Sequence, residues 1–157
     1  MTAGASARPA TRAPSKTLAT WAAVLGGAFG LHRFYLHGLR DPIGWLYPWP
    51  TLLGLYGLRR ADALGVDDRL AWLLLPLLGV TLSAAMLSAI VYGLTSDERW
   101  AQRHDPGHPA QATRWGPVLG AVVALAVGAV ALTSTVAFGV QRFFEWQLAP
   151  PAASGRH

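Results

Sequence analysis

Residues 70–96 read LAWLLLPLLGVTLSAAMLSAIVYGLTS, and residues 115–141 read WGPVLGAVVALAVGAVALTSTVAFGVQ. Each is a run of 27 residues without Asp, Glu, Lys or Arg. A helix of that length extends about 40 Å, more than the roughly 30 Å hydrocarbon core of a bilayer requires. An ordinary globular helix carries one apolar stripe, whereas these two runs are apolar on every face. They predict two membrane-crossing helices. Pro76 predicts a kink in the first, and Pro117 sits at the start of the second, where its missing N–H costs no bond.

Composition points the same way. The chain has 157 residues, of which 52% are hydrophobic and only 13% charged. That charge could not cover the surface of a soluble domain, which is about one quarter charged. The formal net charge is +5, from 13 bases against 8 acids. The bases stand at the ends of apolar runs rather than in a stripe interleaved with aromatics, so they suit lipid headgroups and not nucleic acid. There is no cysteine, which excludes disulfides, thiolate chemistry and cysteine-based zinc sites. Twelve of the 13 bases are Arg, a composition suggestive of a bacterial genome rich in G and C and hence of a bacterial cytoplasmic membrane.

Outward from the two long runs, the signals are shorter. Residues 1–16 are small, basic and Pro-containing and predict a disordered tail. The competing reading, a signal peptide with 18–31 as its apolar region, lacks a clear cleavage site. Residues 17–31 are uncharged for 15 positions, about 22 Å of helix, which is too short to span. Continuing through His32 and Arg33 to Leu36 completes a first span, with Arg33 snorkelling from its end. After a turn at 37–41, Asp41 and Pro42 suit an N-cap and first helical position. A second span is expected over 42–58, broken or re-entrant if Pro48 and Pro50 interrupt it. Residues 59–69 mix charge signs and read as a loop, with Asp67 or Asp68 capping the next helix. Ser96-Asp97-Glu98 reads as a capped start of a short interfacial helix. Arg142, Phe143, Phe144 and Trp146 form an interfacial belt.

These segments predict an all-α integral membrane bundle of about four transmembrane helices. Its parts are a basic tail (1–16), a two-helix unit (17–62), a second helix pair with an interfacial loop (63–146) and a C-terminal tail (147–157). Four spans would place both termini on one side, and the distribution of bases over the loops would make that side cytoplasmic.

Gly30-Leu31-His32-Arg33-Phe34-Tyr35-Leu36 stands before the first turn. This string resembles the signature of the two-transmembrane-helix (TM-two) domain family, a G-x-H/D-R-F-Y-L-G pattern at the end of a first helix. The Gly-rich residues 25–30 and Ile43-Gly44 resemble the family's flanking segments. Where the family has Gly after the Leu, this chain has His37, followed by Gly38. The resemblance covers residues 16–62 and implies two helices with a short connection. It carries no biochemical activity with it.

The motif also has a reading of its own. Arg33 is expected to fix helix depth against headgroup phosphate, with Phe34 and Tyr35 at headgroup depth and His32 beside them. The alternative is a specific lipid or partner site at these four residues. Small residues recur every four positions, Ala22, Gly26 and Gly30 in the first span and Gly116, Gly120, Ala124 and Gly128 in the last. Such faces allow close helix approach within the chain or between copies. His104 and His108 have the spacing of helical metal ligands, but Pro106 and Gly107 between them remove its meaning. No catalytic motif appears, and no ionisable residue lies inside the two long runs. The expectation is therefore a non-enzymatic membrane protein without cofactor or metal. Its partners would be the lipid bilayer, other membrane proteins or further copies of itself. The alternative is a small transporter or channel component.

Overall fold

In the computed structural model, residues 13–65, 67–106, 110 and 112–148 are described. Every regular element among them is helical. The helices are α1 (Lys16–Gly26), α2 (Leu31–His37), α3 (Pro42–Leu46), α4 (Pro48–Leu64), α5 (Arg69–Leu94), α6 (Asp97–His104) and α7 (Gly116–Leu148), with a 3-10 turn at Gly27–Phe29. Of the tails expected at 1–16 and 147–157, residues 1–12 and 149–157 lie outside the described residues.

The two long helices are those the uncharged runs predict. α5 has 26 residues and α7 has 33, and both are long and apolar enough to cross a membrane. They pack antiparallel, as three pairings along their length establish. Gly93 faces Pro117 and Ala121, Gly128 faces Met86, and Arg142 pairs with Asp67. A Cβ on Gly128 would lie 2.8 Å from that of Met86, so the missing side chain sets the approach of the two backbones. α4 covers α5 on another side, with Gly54 against Leu78 and Gly57 against Leu74. Hydroxyls of Thr81, Ser83, Ser88 and Thr135 bond back to carbonyls four residues earlier, which hides them within their own helices.

The first span departs from expectation. Thr17 to Leu36 is not one helix. α1 ends at Gly26, the 3-10 turn follows, and Gly30 takes φ +78°. That left-handed conformation favours glycine, and a Cβ there would also stand 2.5 Å from the Gly44 carbonyl oxygen. The chain then doubles back. The Tyr35 hydroxyl of α2 accepts a hydrogen bond from the Ser15 N–H at 2.8 Å, which returns α2 to the end at which α1 began. α1 itself runs beside the first turns of α7, with Thr17 against Gly116 and Thr20 against Gly120. Its tip meets α5 at Ala85, partway along that helix. The first apolar segment is thus a helical hairpin inserted into one end of the bundle. The break comes from three glycines in five residues, Gly26, Gly27 and Gly30, which a count of uncharged residues does not weigh.

Three further boundaries move. Lys16 belongs to α1 rather than to a tail. The 59–69 loop is mostly helix, since α4 continues to Leu64 and Gly65 ends it. Arg59, Arg60 and Ala61 are good helix formers, and Arg60 pairs with Asp68 at 2.6 Å. α7 runs through the aromatic belt to Leu148. The second segment is interrupted only lightly. Tyr47 keeps helical dihedrals between α3 and α4, because Pro48 and Pro50 remove hydrogen bonds without reversing the chain. The caps at Asp41, Asp68 and Ser96 form as their spacing suggests.

One consequence is global. Lys16 pairs with Asp97, beyond the C-terminal end of α5, whereas Arg142 pairs with Asp67, before its N-terminal end. The entry to α1 and the exit from α7 lie at opposite ends of the bundle. Four end-to-end helices would have brought Lys16 and Arg142 to the same end; the hairpin, which returns to the end where it began, separates them.

Candidate functional site

The four motif residues gather at the α6 end, and each has an in-chain environment. His32 is 1% exposed. Its ring stands edge-on to Tyr47 at 5.4 Å and tilted to Tyr92 at 5.9 Å. Its Nδ1 is buried without a hydrogen-bond partner among the described residues. Phe34 packs its ring over Gly44, where a Cβ would come within 2.5 Å, and against Trp45 at 5.3 Å. Tyr35 is tied to Ser15 as described.

Arg33 is engaged by protein. Its Nε donates to Asp41 Oδ2 at 2.6 Å, and the Asp41 side chain is 8% exposed. Asp41 Oδ1 also accepts from the Ile43 N–H at 3.1 Å, capping α3. The Arg33 bond, helped by that backbone bond, holds the Asp41 carboxyl below the usual carboxylate range. This replaces headgroup phosphate as the partner assigned to Arg33. The ion pair closes the α2–α3 turn and cancels the charge of both residues.

The hairpin tip needs its own hydrogen bonds, because irregular backbone away from water must be satisfied by protein. Thr51 meets that need, donating to the Ala28 carbonyl at 2.5 Å while 2% exposed. The sequence offered one signal for it, a hydroxyl directly after Pro50 in an apolar run. Of the small residues, Gly120 lies against Thr20 and Trp21, and Gly128 against Met86. Gly30 lies against Gly44 and Tyr47, and Gly26 against Leu31 of its own hairpin. All four face residues of this chain.

A second polar cluster joins the hairpin's entry to α6. Asp97 accepts from the Thr113 N–H at 2.8 Å, the Thr113 hydroxyl at 2.5 Å and Lys16 Nζ at 2.9 Å. Burial opposes its charge, but these three donors together outweigh burial and bring its carboxyl down to about 2. Trp100 donates to the Pro14 carbonyl at 2.9 Å and stacks on His104 at 4.2 Å. A cleft of about 380 Å³ opens between these residues. His108 lies outside the described residues, so its spacing from His104 has no structural counterpart. Among the described residues no three His, Asp or Glu side chains converge as metal ligands would.

No family model, curated protein or solved structure matches this chain.

Proposed function

We propose that this is a non-enzymatic, multi-pass membrane protein of a bacterial cytoplasmic membrane, acting through contacts with lipid or with other membrane proteins. The observation that carries this is the exposure of α5 and α7. In their most apolar stretches only 28% and 17% of residues are buried. The core helix of a soluble protein is mostly buried; here Leu73, Leu87, Leu125 and Val130 are each more than 60% exposed. Exposed apolar surface on this scale supports contact with hydrocarbon or with other membrane proteins.

In this reading α3–α4, α5 and α7 cross the bilayer, and the α1–α2 hairpin enters it and returns. Likeness to the TM-two family is retained as a proposal for residues 30–36 alone. The hairpin also reassigns the sides. Eight bases (Arg8, Arg12, Lys16, Arg33, Arg40, Arg99, Arg103 and Arg114) belong by chain position to the α6 end, and five (Arg59, Arg60, Arg69, Arg142 and Arg156) to the other. The positive-inside rule then favours a cytoplasmic α6 end.

Membrane integration is tested by washing isolated membranes in alkaline carbonate. The protein should remain in the pellet. Its release into the supernatant would overturn the proposal.

A further inference from the structure

At the end away from α6, the start of α5 and the end of α7 enclose a cleft of about 150 Å³ lined by Asp67, Arg69, Trp72, Arg142, Glu145 and Trp146. Its depth is set by the sequence. Arg69 immediately precedes one 27-residue uncharged run, and Arg142 immediately follows the other. In a bilayer both would stand where hydrocarbon gives way to headgroups, and Trp72 and Trp146 would share that interface.

The charges in the cleft are arranged unequally. Arg142 is already engaged, 2.7 Å from Glu145 and 3.2 Å from Asp67, with its side chain only 14% exposed. It also lies over the Phe138 ring at 5.5 Å. The carboxylates are more open, with Asp67 94% and Glu145 47% exposed, and Arg69 is exposed at the rim. An incoming group therefore meets two accessible carboxylates, one accessible guanidinium and two indole rings. The four charged side chains sum to zero. An anionic headgroup would gain Arg69 but face Asp67 and Glu145. A group bearing an ammonium and a phosphate satisfies both signs. Its cation has carboxylates and an indole face to meet, and its phosphate has Arg69.

We propose that this cleft binds the headgroup of a zwitterionic phospholipid, with the ammonium toward Asp67, Glu145 and Trp146 and the phosphate toward Arg69. Resting on the membrane placement above, the site gives the lipid contact of that placement a location and a preference.

The test uses the full chain purified in detergent and native mass spectrometry. The probes are phosphatidylethanolamine and phosphatidylglycerol with identical acyl chains. Phosphatidylethanolamine should be retained in preference. Asp67→Asn and Trp146→Leu alter exposed side chains, and each should weaken its retention about three- to fivefold, the scale of one exposed cation–π or ion contact. Asp67→Asn should also raise retention of phosphatidylglycerol by removing a repelling charge. Equal retention of the two lipids by the wild-type chain, or unchanged retention in both variants, would overturn the assignment. Carbonate washing of membranes from the same cells separates the two failures. A protein that stays in the pellet but shows no lipid preference refutes this site alone, and one that is released refutes the membrane placement.

Discussion

The Arg33 guanidinium lies 2.6 Å from the Asp41 carboxylate, so the arginine of the first hairpin is neutralised by the residue that caps the next helix. This pairing predicts coupling. Arg33→Leu and Asp41→Asn should each lower the melting temperature in detergent. The double variant should be little worse than the poorer single, because both remove the same interaction. If lipid phosphate were the partner of Arg33, the two losses would add. A double-mutant cycle on the purified protein decides between them.

Acid should loosen the junction of α1 and α6. The folded-state carboxyl of Asp97 is depressed to about 2, below the roughly 3.9 of an unfolded chain. Its contribution is therefore present in full above about pH 4 and is lost as pH falls toward 2. Trp100, three residues away and bonded to Pro14, should report the loss as a fluorescence change between those values. Asp97→Asn should flatten that change. A wild-type transition unaltered by the substitution would place it elsewhere.

Glycine substitutions should separate packed from open faces. A Cβ at Gly120 would stand 2.7 Å from Thr20 Cγ2, and at Gly128 2.8 Å from Met86 Cβ. Replacing either by Leu should cost about 1–3 kcal/mol through overpacking. A Cβ at Gly139 would meet no described neighbour within 4 Å, so Gly139→Ala should be neutral or stabilising by up to about 1 kcal/mol from helix propensity. Thermal denaturation in one detergent orders the three variants.

His32 offers a contrast of size with polarity. It fills a buried site between Tyr47 and Tyr92, with its Nδ1 unsatisfied by any described residue. His32→Phe keeps the ring and removes that nitrogen, whose burial costs about 1–3 kcal/mol. It should match or exceed wild-type stability. His32→Ala should lose about 3 kcal/mol by leaving a cavity. A Phe variant as unstable as the Ala variant would mean that the imidazole makes a polar contact the protein needs.

What the sequence made legible was tied to uninterrupted physical signals. The two 27-residue runs specified α5 and α7, and Asp41, Asp68 and Ser96 specified helix starts, because caps and apolar length act locally. The hairpin was not legible. Residues 17–36 have nearly the right length and composition for a span, and the turn is completed by the left-handed Gly30, opposite Gly44. That turn is fixed by a contact across the fold. The Arg33 partner was hidden for the same reason, since Asp41 already had a sufficient local role as a cap. The Asp97 cluster draws on Lys16 and Thr113, which are distant in sequence and become neighbours only once α1 lies beside α7.

The arrangement as a whole is tested most directly by which sides of the membrane hold Ala13 and Gln147. The chain has no native cysteine, so single cysteines can be placed at these positions without further change. Intact cells are treated with a membrane-impermeant maleimide, and lysed cells serve as the reference. With a returning hairpin and three crossings, Gln147→Cys should label in intact cells and Ala13→Cys only after lysis. Labelling of both positions before lysis, or protection of both, would put the two ends on one side and contradict the account.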